Sequence, residues 1–198
     1  MPDPFVPLFL FAFAGAWTPG PNNIMVTASG QSFGLMRTWP HILGVVAGFS
    51  ILLIAFGLGL SQLFARYPQL HGALRVAGAV YLFYLAWRIA TASAPGGDGT
   101  ARARPIRFGE ALLFQWVNVK GLTFAAGVNA AFMTPGGDVV RELTTIVAVF
   151  TALTLPSLVV YCLFGVAIGR WLNSDRARRI VNHAFAALIV LSIVLLFI

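Results

Sequence analysis

Apolar stretches recur along the whole chain, each with roughly the 18 or more residues that a helix needs to cross a membrane. In lipid, only helices and closed barrels satisfy their own backbone hydrogen bonds. The composition agrees, because 59% of the 198 residues are hydrophobic and only 10% are charged, against roughly 25% charged residues in soluble domains. The pattern therefore predicts an all-α polytopic membrane protein, with the lipid bilayer as its main partner.

Six membrane spans are predicted, and the connections between them are short except for one. The exception, "ASAPGGDGTARARPIR", is rich in Pro, Gly and Arg, which is typical of a linker. We therefore expect a first three-helix repeat at 1–92, a cytoplasmic linker at 93–107 and a second three-helix repeat at 108–198. The predicted spans are 5–33, 41–64, 70–92, 108–134, 143–169 and 180–198.

Basic residues are distributed unevenly among the predicted connections. Nine of the 13 Lys and Arg residues follow the first, third and fifth spans, whereas three lie on the opposite side. The positive-inside rule then predicts that the arginine-rich connections are cytoplasmic and that both termini are periplasmic. Membrane orientation thus accounts for the net charge of +7, and we expect no nucleic-acid partner.

Each half of the chain holds three predicted spans, so the second half must enter the membrane in the opposite direction to the first. If the halves share a fold, they form an inverted repeat, an arrangement found in many secondary transporters. Both halves place their least lipid-compatible residues near the middle of their first span, at Pro19 and at Lys120. We therefore predict two inverted three-helix repeats with a broken first helix.

The first span is interrupted by the sequence "TPGPNN". Pro19 and Pro21 lack a backbone N–H, and Gly20 permits conformations that a helix excludes. Freed backbone groups are costly in hydrocarbon, so the break must face protein, water or a ligand. If Pro21 starts a second half-helix, the free N–H groups near Asn22 and Asn23 suit an anion such as a carboxylate. A hinge repaired by neighbouring helices is the alternative.

The fourth span contains "FQWVNVKGL", with Gln115, Asn118 and Lys120 at the depth of the bilayer core. A lysine there costs about 2.5–3.5 kcal/mol on insertion scales and usually marks a functional site; snorkelling to the surface is the alternative. On an ideal helix Gln115, Asn118 and Asn129 share one face, whereas Lys120 points to the other. The span is therefore either unwound here or enclosed on both faces.

Several further expectations concern lining residues and absent chemistry. Tyr81, Tyr84 and Asn129 are candidates for lining a cavity, although aromatic packing or an interfacial belt also explains the tyrosines. The chain has no P-loop motif, no cluster of metal ligands within a span and no Ser/His/Asp set. Its single cysteine, Cys162, has no partner for a disulfide. We therefore expect no enzyme activity, no metal and no cofactor, but a transporter driven by an ion gradient or a passive route.

Four motifs occur in an order that resembles the LysE/RhtB family of bacterial amino-acid exporters. They are "PGPNN", "GQSFGLMRTWPHILGVVAG", "GAVYLFYLAWRIA" and an Asn-x-Lys in the fourth span. The family usually has Asn-Pro-Lys at the last of these, whereas this chain has Asn118-Val119-Lys120. This departure weakens the expectation that a proline breaks the fourth span. Asn-Val-Lys is similar to the branch that exports cysteine and O-acetylserine.

The resemblance implies a secondary-active exporter of small amino acids or their derivatives across the bacterial inner membrane, working by exchange with protons. Substrate-binding residues are then expected at the two interruptions, and Lys120 is the candidate for proton coupling. An exporter of another small metabolite or ion, and a non-transporting assembly or scaffold protein, are the alternatives; whether the chain forms a homo-oligomer is left open. The expected substrate-binding residues are Pro19, Gly20, Pro21, Asn22, Asn23, Gln115, Asn118 and Lys120.

Overall fold

The computed structural model describes residues 5–91, 104–172 and 174–194, and every regular element in these ranges is helical. Most of the predicted linker, and the last four residues of the sixth predicted span, lie outside the described residues. A π-helical segment, Phe56–Leu60, joins the second helix to the third. The α-helices are α1 (Phe5–Trp17), α2 (Pro21–Ala55), α3 (Ser61–Arg66), α4 (Pro68–Ala90), α5 (Phe108–Phe114), α6 (Val119–Phe132), α7 (Val139–Trp171) and α8 (Asp175–Val194).

Four continuous helical stretches in the described ranges are long and apolar enough to cross a membrane. A fifth is added when α5 and α6, which meet at an angle of 61°, are counted together as one bent span. These helices confirm the prediction of an all-helical chain that crosses the membrane several times. The four stretches are Pro21–Arg66, Gly72–Ala90, Val139–Trp171 and Asp175–Val194.

The longest stretch, Pro21–Arg66, folds back on itself at Gly34. This glycine has φ 78° and ψ 172°, a left-handed backbone conformation that other residues adopt only with strain. Residues 21–33 run in the same direction as α7, whereas residues 35–55 run against it. The residue numbers rise together along the first contact, where Thr27 lies beside Gly165 and Gln31 beside Gly169. They change in opposite directions along the second, where Ser50 lies beside Thr151 and Gly57 beside Leu143.

Helices from the two halves of the chain pack against each other. α1 packs on α7, α5 packs on the second part of α2, and α4 packs on α8. The contact between α5 and α2 is very close, because a Cβ added to Gly44 would lie 2.3 Å from the carbonyl oxygen of Phe108. Small residues of this kind allow backbones to approach where burial of apolar surface cannot drive association within lipid. The first half-helix of each half is thus held by the other half.

Candidate functional site: a cavity between two helix breaks

The first break separates α1 from α2 at Thr18, Pro19 and Gly20. Gly20 has an extended backbone, with φ −166° and ψ 178°, which any residue can adopt. Pro21 occupies the first position of α2, where its missing N–H is not needed and its fixed φ suits a helix. The "TPGPNN" sequence therefore ends one half-helix and starts the next, as predicted.

Three of the carbonyl groups that the break frees at the end of α1 accept hydrogen bonds from side chains in the second half of the chain. Two of these donors lie in α7 and one in α6, so residues from the second half of the chain close the end of the first half-helix. Without them, each buried carbonyl would cost free energy comparable to a lost hydrogen bond. The bonds run from Ser157 Oγ to Ala16 O (2.7 Å), from Tyr161 OH to Trp17 O (2.9 Å) and from Lys120 Nζ to Thr18 O (2.6 Å).

Within the described ranges, no acceptor pairs with the N–H groups at the start of α2. The first bond within the helix joins Ile24 N to Gly20 O at 3.0 Å, so the N–H groups of Asn22 and Asn23 precede it. The helix dipole adds partial positive charge at this end. The Asn23 side chain turns back and donates to Thr18 O at 3.2 Å and to Ala16 O at 3.3 Å. The break therefore presents unpaired backbone donors on one side and three paired carbonyls on the other.

A second break interrupts the fourth predicted span between α5 and α6. Residues 115–118 form a run of i→i−3 backbone bonds of 3.1–3.4 Å, and Asn118 then adopts an extended conformation with ψ 96°. The break arises without a proline. Gly78 of α4 makes room for it, because a Cβ there would lie 2.1 Å from the carbonyl oxygen of Val117. The sequence left two alternatives, a span that is unwound here and a continuous span enclosed on both faces. The structure shows the unwound span, and Asn118 and Lys120 line the same cavity as a result.

Three amide side chains link the two breaks. Asn22 and Gln115 exchange hydrogen bonds of 2.8 and 3.2 Å, and Gln115 also donates to Ala111 O at 2.9 Å. Asn118 donates to Gln115 Oε1 at 3.3 Å. The Oδ1 atom of Asn118 is buried and has no hydrogen-bond partner among the described residues. It is therefore available as an acceptor.

The two breaks border a single cavity of about 50 Å³ that is partly open to the surroundings. A water needs roughly 10–15 Å³ of such a volume, so the cavity has room for a few waters. Of the eight residues predicted to bind substrate, all but Pro19 line it. The apolar part of the wall was not predicted, since these residues resemble any others in an apolar helix. The main lining side chains beyond the predicted ones are Val45, Phe49, Phe124, Phe150, Thr154 and Leu158.

Lys120 is the only ionisable side chain among the described residues that line this cavity. Besides its bond to Thr18, its Nζ atom lies 5.8 Å from the centre of the Phe124 ring. The ammonium group is thus at the carbonyl end of α1, where the helix dipole favours a cation. Within the described ranges, no three His, Cys, Asp or Glu side chains cluster as a metal site requires.

Three other predicted lining residues lie away from this cavity. Tyr81 packs against the Phe114 ring, with centroids 5.5 Å apart. Tyr84 is exposed, and the Arg88 guanidinium lies 5.7 Å from its ring centre. Asn129 is buried and donates to Leu53 O at 3.2 Å. Asn129 thereby ties α6 to α2 next to the π-helical segment.

Comparisons with known proteins agree with the motifs in the sequence. A family model described as LysE type translocator matches residues 13–198. A relative from Shigella flexneri serotype 5b, named Cysteine/O-acetylserine efflux protein, is 34% identical over 135 residues, which is 65% of this chain and 68% of that protein. The protein of the same name from Escherichia coli (strain K12) is 35% identical, over 61% of this chain and 60% of its own length. The one from Salmonella typhimurium is 32% identical, over 65% of this chain and 68% of its own length. No solved structure matches this chain significantly.

Proposed function

The chain belongs to the LysE type translocator family, whose model covers residues 13–198, and on that premise we propose that it exports small amino acids or their derivatives. Cysteine and O-acetylserine are the first candidates, because the relatives at 32–35% identity carry those substrates in their names. We place the protein in the bacterial inner membrane. It has several apolar helices that suit a multi-pass transporter.

The observation that carries this proposal is the meeting of two helix breaks in one partly open cavity with polar groups on its wall. The substrate carboxylate is expected at the free N–H groups of Asn22 and Asn23, with the Lys120 ammonium beside it. The substrate ammonium is expected at the unpartnered Oδ1 of Asn118. A scaffold protein that used the breaks only for packing would have dry, apolar surroundings there.

Six spans in two inverted repeats are the membrane arrangement that we propose. The reversal at Gly34 separates residues 21–33, the second part of the broken first span, from an opposed second span. The break at 115–118 interrupts the fourth span as the "TPGPNN" break interrupts the first. In each half, the first helix packs on the long helix of the other half: α1 packs on α7, and α5 packs on α2. A pseudo-two-fold axis that relates the two halves would produce this pair of contacts. Discontinuous helices at the repeat interface are a common form of transporter binding site.

The orientation follows from the basic residues at one end of the molecule. Arg88 donates to Arg104 O at 3.1 Å, and the end of α7 with Arg170 lies beside the reversal at Gly34 that precedes Arg37. We propose that this end is cytoplasmic and that both termini are periplasmic. Substrate would then enter from the arginine-rich end and leave at the opposite one.

Proton exchange is the proposed source of energy, and Lys120 is the proposed coupling residue. It is suited to this role because it alone is ionisable among the described lining residues and its ammonium also contacts the end of α1. Loss of the proton would weaken both its contact with Thr18 O and its attraction for a carboxylate. The two breaks would then be free to move relative to each other.

Counterflow in proteoliposomes tests the proposed activity. Vesicles loaded with unlabelled substrate are given radiolabelled cysteine, O-acetylserine, threonine or lysine, and protein-free vesicles serve as the control. We expect accumulation of cysteine and O-acetylserine. Accumulation of threonine or lysine alone would retain export but change the substrate, and no accumulation of any of the four in correctly folded protein would contradict amino-acid export.

A further inference from the structure

A second cavity lies at the arginine-rich end of the protein. It has a volume of about 60 Å³, is partly open, and lies between the first part of α2, α4 and the segment that precedes α5. It is separate from the cavity between the breaks, since the two share no lining residue. Its lining residues are Met25, Ala28, Ser29, Ser32, Phe33, Leu85, Arg88, Ile89, Arg104 and Ile106.

The charge of this cavity is positive. Arg104 is paired with Glu110, with Nη1 2.9 Å from Oε2, and this hydrogen bond raises the pKa of Arg104 above its ordinary value. Arg88 donates to the Arg104 carbonyl, but it forms no ion pair with a carboxylate in the described part of the chain. A guanidinium has five donors in a planar fork that matches a carboxylate. Arg88 thus brings positive charge to the cavity wall, together with donors that no carboxylate of the described residues uses, although Glu110 and the Tyr84 ring lie near enough to interact with it.

One face of α2 connects the two cavities. Asn22 lines the cavity between the breaks, and Ser29 lines the second cavity. Seven residues separate them, which is two helical turns and roughly 10 Å. Met25 lies between them on the same face, at three residues from Asn22. Its side chain is 1% exposed and belongs to the apolar core, so it occupies this face of α2 between the two cavities.

We propose that the second cavity is an entry site for the exported substrate, in which Arg88 binds the substrate carboxylate before Met25 moves aside to admit it to the cavity between the breaks. This inference rests on the proposed export function. The ligand class is a small amino acid with a free carboxylate. Met25 suits the gate because its unbranched, flexible side chain repacks at small cost.

Protection from thiol modification tests the entry site. Ser32→Cys is introduced into a Cys162→Ala background and treated with a charged methanethiosulfonate, with and without O-acetylserine. We expect O-acetylserine to slow the modification, and its methyl ester, which lacks the carboxylate, to have no effect. Arg88→Gln should abolish the protection. Thr91→Cys, exposed at the end of α4 and outside the cavity, is the matched control and should show no protection.

The outcomes separate the entry site from the transport function. If Ser32→Cys vesicles perform counterflow but O-acetylserine gives no protection, or protects equally with Arg88→Gln, the entry site is overturned and export stands. If protection depends on Arg88 but no substrate is transported, the site stands and export is overturned. Protection by the methyl ester as well would also overturn the role of the carboxylate.

A second experiment tests whether Met25 is the gate between the two cavities. In the Cys162→Ala background, Asn22→Cys is modified by the same reagent added to the arginine-rich side. We expect Met25→Ala to speed this modification by about tenfold, which corresponds to removing a barrier of about 1.4 kcal/mol. Val128→Cys, which is buried and lines neither cavity, reports any general loosening. An unchanged rate at Asn22→Cys in a folded Met25→Ala protein would overturn the assignment of Met25.

Discussion

Gly20→Ala is a local perturbation of the site, because the backbone tolerates it and only one side chain obstructs it. Gly20 is extended, so alanine adds no strain to the backbone. Its Cβ would lie 2.8 Å from Lys120 Cδ and 3.1 Å from Nζ. The first distance is about 0.6 Å short of the 3.4 Å at which ordinary contacts begin. Lys120 must therefore withdraw from its present position.

The size of the effect follows from the bond that Lys120 makes. Nζ lies 2.6 Å from Thr18 O, and hydrogen bonds of charged groups contribute about 1.5–3 kcal/mol. We expect the lower end, since the lysine is only partly buried. If the ammonium also binds the substrate carboxylate, loss of about 1.4 kcal/mol corresponds to a tenfold weaker affinity. The half-saturation concentration for export should thus rise by about tenfold.

The assay is counterflow of radiolabelled O-acetylserine at increasing concentration in proteoliposomes. Gly72→Ala is the matched control, because no heavy atom of the described residues, apart from its chain neighbours and the backbone of its own helix, lies within 4 Å of a Cβ added there. It should transport as the parent does, whereas Gly20→Ala should melt a few degrees lower because it loses the Lys120 bond to Thr18 O. If Gly20→Ala, folded in the vesicles, had the same half-saturation concentration as Gly72→Ala, the inference that Lys120 binds the carboxylate would be refuted.

Three further variants test coupling and packing. Lys120→Gln should remove the response of counterflow to an imposed pH gradient, because the group proposed to exchange protons is gone; an unchanged response would end the coupling role. Gly165→Ala should lower the free energy of unfolding by about 1–3 kcal/mol through overpacking, because the added Cβ would lie 2.0 Å from Thr27 O. A melting temperature equal to that of the parent would contradict this close approach. Ser157→Ala removes the 2.7 Å bond to Ala16 O but leaves the 3.3 Å bond from Asn23 Nδ2, so it should cost about 0.5–1.5 kcal/mol, measured by thermal unfolding in detergent. An unaltered midpoint would mean that the Asn23 bond alone satisfies this carbonyl.

The interruption of the first span could be predicted from the sequence alone. Pro19 and Pro21 cannot donate backbone hydrogen bonds in any fold, so the end of α1 and the start of α2 follow from covalent structure. The apolar spans follow in the same way from their length and composition. Lys120 and Asn118, which line the cavity, could be singled out because polar groups are costly in the core of a bilayer. These inferences need no knowledge of which helices are neighbours.

The break in the fourth span could not be predicted with the same certainty. Val119 stands where the related family usually has proline, so no local rule forbids a continuous helix. The interruption depends on α4, where Gly78 admits the Val117 carbonyl, and on Gln115, which bonds to Asn22 from the other half of the chain. Both partners are far away in sequence, and their effect is visible only after the halves have packed.

The amino-acid sequence alone thus determined that several helices cross a membrane and that the first of them breaks at its prolines. It also identified the polar residues whose burial in a bilayer would be costly. The tertiary structure decided what satisfies the freed groups. Ser157, Tyr161 and Lys120 donate to three carbonyl groups at the end of α1, whereas the N–H groups of Asn22 and Asn23 have no acceptor among the described residues. Composition and proline geometry act on single residues and their near neighbours, but the partner of a freed backbone group depends on which helices meet.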